Sequence, residues 1–161
     1  MPDSPAEPAG RNGVAAAGPV LDAGAVRRLA DRSPRSAVTL AALRDRGLWP
    51  ARVPSVAVAE ALTGDAEADR PVEAFLRCCD VVESIGVDLA RRAAWLRAAA
   101  NRGTVADALI VATAEPGGVV LVANRPTIEA MALFADGVFV ERSRPRPPRA
   151  AATSRRPDGR S

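Results

Sequence analysis

Three carboxylates in this chain stand among apolar residues. Asp22 directly follows the pair Val20-Leu21, Glu60 is embedded in the run Val-Ala-Val-Ala-Glu-Ala-Leu at 56–62, and Asp107 opens the run Ala-Leu-Ile-Val-Ala at 108–112. A carboxylate carried into apolar surroundings must be paired or must coordinate a metal, or it costs several kcal/mol. Glu60 is the sharpest case, because residues 52–63 offer it only Arg52. Brought together at one end of a sheet, three such acids make a hard-oxygen site, and hard oxygen ligands select Mg²⁺ or Mn²⁺. Asn124 ends the run Val-Val-Leu-Val-Ala at 119–123 and would face the same rim. Plainer roles are open to each residue except Glu60. Asp22 suits a turn or helix cap. Thr104-Val-Ala-Asp107 fits the capping box that closes a helix N-terminus, and Asn124 suits a turn.

Composition narrows the chemistry. The 161 residues contain no His, and all 22 basic residues are Arg. Without His there is no Ser–His–Asp triad, no Cys–His pair and no His zinc ligand. Without Lys there is no phosphate-binding Walker lysine and no Schiff base. Aromatics are 3% of the chain with no Tyr, which argues against a base-stacking platform. What remains is carboxylates, arginine, hydroxyls, backbone amides and bound metal. Cys78 and Cys79 are adjacent, a poor geometry for a disulfide, and read as small buried residues near a helix end in a reducing cytoplasm. No apolar run reaches the roughly 18 residues of a membrane helix, and the first residues lack the pattern of a signal peptide. The expectation is a cytoplasmic protein without membrane attachment.

The elements that must position these residues alternate regularly. Residues 1–18 are rich in Pro, Gly and Ala and read as a disordered extension. Residues 142–161 hold seven Arg against one Asp, a charge of +6, while residues 1–141 carry −3. The basicity therefore belongs to a Pro/Arg tail that cannot build a core. Between them, residues 19–141 form one domain. Short apolar strands are expected at 20–21, 53–54, 81–84, 119–123 and 138–141. Helices are expected near 25–31, 35–46, 56–62, 71–79, 88–102, 104–115 and 126–134, with Pro71 in the first turn of the fourth. Strands alternating with helices imply an α/β fold, a mainly parallel sheet of four to five short strands with helices on both faces. In such sheets ligands collect outside the carboxyl ends of the strands, which is where Asp22 and Asn124 fall.

The stretches VLDAGAVRRLA, VPSVAVAEALTG and ADALIVATAEPGGVVLVANRPTIEAM, in that order and spacing, resemble the PIN-domain family, and within it the VapC-type toxins of bacterial toxin–antitoxin pairs. The resemblance covers about residues 19–141 and implies a three-layer PIN-like fold and Mg²⁺- or Mn²⁺-dependent RNA cleavage by a quartet of acids. By position it makes Asp22, Glu60 and Asp107 the metal-binding acids and places Asn124 where the fourth acid normally stands. Thr127 occupies a position that bears an acid in some members, and Gly24 one that is usually Ser or Asn. Arg125, beside the rim, becomes a phosphate contact for the RNA substrate. The resemblance also implies a homodimer and a small VapB-like antitoxin partner. The alternative is a catalytically degenerate PIN domain that acts as an RNA- or protein-binding module.

Overall fold

The computed structural model describes residues 18–143. Expectations for residues 1–17 and 144–161 lie outside the described residues. The chain runs β1 (Val20–Leu21), α1 (Ala23–Ala30), α2 (Pro34–Asp45), β2 (Arg52–Pro54), α3 (Ser55–Ala61), α4 (Ala66–Leu76), β3 (Asp80–Val82), α5 (Val87–Ala100), α6 (Val105–Ala114), β4 (Val119–Val122), α7 (Pro126–Ala132) and β5 (Phe139–Arg142). The fold is α/β, with helices flanking a five-stranded sheet whose pairings are all parallel. This is the architecture expected from the alternation of apolar runs, and it is consistent with a PIN-like three-layer arrangement.

Strand order is β3-β2-β1-β4-β5. The chain walks outward from β1 through β2 to β3, then returns to the other side of β1 for β4 and β5. The order therefore reverses between β1 and β4, the switch point at which a parallel sheet opens a crevice beyond its strand ends. Val20 pairs with Val120 and Leu21 with Leu121. Asp22 and Ala123 are thereby delivered to that crevice side by side.

The strands are only two to four residues long because few residues need to cross the core. Val20, Leu21, Val53, Val120 and Val122 are fully buried. On the sheet, α1 packs against α2, α3 and α4, while α6 packs against α5 and α7. Helix α6 buries Asp107 through Ala114 without interruption. A helix that is apolar nearly all round belongs in the interior, and here it carries Asp107 inside with it.

Four expectations need correction. Pro71 lies inside α4, not in its first turn, because Asp65 starts the helix earlier by accepting the Glu67 and Ala68 N–H groups at 2.9 and 3.0 Å. Residues 142 and 143, assigned to the tail, pack with the domain. Arg142 belongs to β5, and Ser143 is buried, its N–H donating to the Val122 carbonyl at 2.8 Å and its hydroxyl accepting from Arg28. Cys78 is exposed and Cys79 half-buried; burial and the neighbouring thiol push Cys79 up to about 12. Helix α3 is also less enclosed than its composition implies, since only Ala57 and Ala61 are buried and Ala59 faces solvent. Among the described residues no helix is long and apolar enough to cross a membrane.

Candidate functional site

Asp22 is the N-cap of α1, in the extended conformation that lets a side chain turn back on the helix. Its Oδ1 accepts from the Ala25 N–H at 2.6 Å and from the Ala123 N–H at 3.3 Å. The capping role suggested by the sequence therefore holds for one oxygen and also ties α1 to the end of β4. Oδ2 is different: it is buried and has no hydrogen-bond partner among the described residues. Burial pushes the Asp22 carboxyl above its ordinary range, against the pull of the two N–H groups, Arg125 and Arg28.

Asp107 divides its oxygens in the same way. Oδ2 accepts from the Thr104 N–H and the Thr127 hydroxyl, each at 3.0 Å, and the Thr104 hydroxyl accepts the Asp107 N–H, completing the capping box. Oδ1 turns to Arg125 Nη1 at 2.8 Å. The side chain is 2% exposed. Glu60, from α3, has no such structural duty. Its Oε2 meets Arg125 Nη2 at 2.9 Å, and the side chain is about one third exposed, at 34%.

Arg125 is the hub. It lies between β4 and α7, one nitrogen toward each carboxylate, with Nε 3.8 Å from the orphaned Asp22 Oδ2. Burial works against its charge, but Asp107 and Glu60 outweigh that and hold its pKa above the ordinary arginine value. The structure thus gives Glu60 a counter-charge that the surrounding sequence lacks. Arg52, the local alternative, instead reaches the Gly18 and Thr113 carbonyls at the amino end of the sheet.

No protein-family model matches the chain, and no curated protein matches it.

The geometry brings Asp22, Glu60, Asp107 and Arg125 together. Asn124 is exposed, and its side chain makes no hydrogen bond among the described residues. Arg125, expected to be open to a phosphate, has its donors engaged by carboxylates. Glu129 is used elsewhere, paired with Arg142. Gly24 is explained by contact: a Cβ there would stand 2.5 Å from the Ala123 methyl. Gly103, at φ +88°, turns the chain into the capping box where a Cβ would collide with Met131. Arg28, on α1, is a site neighbour that sequence reasoning missed, and no motif marks it; it bonds Ser143 and lies near enough to act on Asp22.

As the side chains stand, no three acidic, Cys or His groups among the described residues are gathered tightly enough to hold a metal ion. The space between the carboxylates belongs to the guanidinium. In kind, the donors fit a hard divalent cation: all are carboxylate oxygens, one of them buried and unpartnered. Three carboxylates also outnumber the two guanidinium groups beside them, Arg125 and Arg28.

Proposed function

We propose that this chain is a Mg²⁺- or Mn²⁺-dependent endoribonuclease of the PIN type, the toxin of a toxin–antitoxin pair. The observation that supports the reading is the meeting of Asp22, Glu60 and Asp107, from three separate elements, at the switch-point crevice, with the Asp22 Oδ2 buried, 3.8 Å from Arg125 Nε and without a hydrogen-bond partner among the described residues.

In this reading Asp22, Glu60 and Asp107 would hold the ion. When bound, it lowers the pKa of a water and offsets charge on the phosphate oxygens. The chain supplies position. Asp22 is fixed by the Ala25 and Ala123 N–H groups, and Asp107 by Thr104 and Thr127, so one oxygen of each is held by the fold while the other faces Arg125. Glu60, held only by Arg125, is the adjustable member. The site opens to solvent on the side of Glu60 and Arg125, where a phosphodiester backbone has access. None of these steps needs histidine, in keeping with the composition. An RNA substrate, a VapB-like antitoxin and a homodimer belong to the same reading through the family resemblance, and a cytoplasmic location through the two cysteines.

A second reading, a degenerate binding module, is favoured by one observation: a guanidinium already fills the carboxylate cluster while Asn124, exposed, adds no charge. The two readings part in one experiment. Purified protein is incubated with a mixed RNA pool in Mg²⁺, Mn²⁺ or EDTA, beside Asp22→Asn. Cutting that needs metal and is lost in the variant is the expected result. No cutting, together with no Mn²⁺ binding at millimolar concentration, would leave the binding module.

A further inference from the structure

Arg125 satisfies the carboxylates, yet only partly. Its Nη1 and Nη2 take Asp107 Oδ1 and Glu60 Oε2 at 2.8 and 2.9 Å, while its Nε remains 3.8 Å from Asp22 Oδ2. Asp107 Oδ1, which it uses, is also an oxygen that the metal-site reading requires, and its guanidinium stands beside the other two carboxylates. A divalent cation and a guanidinium cannot share them at contact distance, because like charges in a poorly solvated crevice repel. The guanidinium also has a way out. It is 28% exposed, the preceding Asn124 is exposed, and no side-chain cap bond ties residue 125 to the start of α7. Its long side chain can withdraw by rotation about its own bonds while Pro126 keeps the helix in place.

We propose that Arg125 is an exchangeable internal counter-ion: it fills the carboxylate site when no divalent cation is there, and a cation entering the site releases it toward a phosphate of the nucleic acid. This rests on the reading of the cluster as a metal centre. Its physical content is charge exchange. The cation takes over the carboxylates, and the freed fork of N–H donors matches the oxygens of a phosphodiester. Phosphate and cation then favour each other's binding, since linkage between two sites is reciprocal. Without a cation, the same arginine is engaged and the carboxylates, which outnumber Arg125 and Arg28, repel the anion. Arg125 thus orders the events, cation before phosphate.

The test is Mn²⁺ titration of the full chain by calorimetry, independent of any cleavage. Arg125→Gln is expected to bind Mn²⁺ at least about tenfold more tightly than the parent, because the competing charge is gone; tenfold is 1.4 kcal/mol. Arg125→Lys keeps a charge without the planar fork, guards against a folding failure of the glutamine variant, and is expected to gain only a few-fold. Affinity equal to or weaker than the parent in both variants overturns the counter-ion while leaving a metal centre standing. Absence of Mn²⁺ binding in parent and variants alike overturns both readings. A second arm uses inorganic phosphate as the probe. The parent is expected to bind it more tightly with Mg²⁺ than without, and Arg125→Gln to lose at least threefold of that gain. An undiminished gain overturns the release step.

Discussion

Gly24→Ala sets two well-understood effects against each other. Gly24 lies in the first turn of α1, and its φ is outside the left-handed region, so alanine meets no backbone penalty there. Helix propensity alone then predicts a gain of up to about 1 kcal/mol, with help from a less flexible unfolded chain. Packing predicts the reverse. The new Cβ would lie 2.5 Å from the Ala123 methyl, about an ångström inside ordinary contact. Neither atom is the end of a flexible side chain, so backbone must move, and overpacking of this kind costs about 1–3 kcal/mol. Packing should win, with a net loss of roughly 1–2 kcal/mol after the propensity gain. For a chain of this size that lowers Tm by roughly 3–8 °C. Urea unfolding of Gly24→Ala, Ala123→Gly and the double variant forms the assay. The second glycine removes the opposing methyl at a cost of about 0.5–1 kcal/mol of its own. The double variant should therefore be more stable than the sum of the single changes by about the size of the clash. A Gly24→Ala protein as stable as the parent, or a double variant that merely adds the two losses, refutes the close approach of α1 to the end of β4.

Two further changes test the groups around the crevice. Asp22→Asn replaces a buried charge with the neutral shape of its protonated form. Because the folded-state pKa is raised, the parent loses stability as pH climbs from the unfolded value near 3.9 through the folded one. In metal-free buffer Asp22→Asn should therefore melt above the parent at pH 7, the difference closing toward pH 3.5; a pH-independent gap would deny that burial governs this carboxyl. Thr104→Ala removes the hydroxyl that accepts the Asp107 N–H at 3.1 Å and should cost about 1 kcal/mol in urea unfolding with an unchanged m-value; no loss would show the capping box to be idle.

The sequence disclosed the sheet because each strand is an apolar run between breakers, and disclosed Asp107 because Thr104 stands three residues before it. It did not disclose who answers Glu60. Arg125 is 65 residues away in the chain, and only the crossing from one side of β1 to the other brings it close. A search of neighbouring residues finds Arg52, which the pleat and the strand direction send to the opposite rim. The start of α4 was hidden for a different reason. Proline is a strong breaker, but Asp65 caps the helix six residues earlier and the turn between them holds without the lost N–H. The exposure of Asn124 was beyond pattern reading too, since a residue just after a strand can face either the crevice or the solvent.

The division of labour within the carboxylates bears on how descent with change would mark this site. Positions 22 and 107 each hold a helix start with one oxygen, so a lineage that abandoned chemistry would still need a short acceptor side chain at both. Their presence in other sequences would report foldedness as readily as activity. Glu60 carries no such obligation: its side chain answers only to Arg125. Once the site fell out of use, nothing in the fold would hold residue 60 to an acid, and its drift, together with that of residue 125, would be the trace left in sequence.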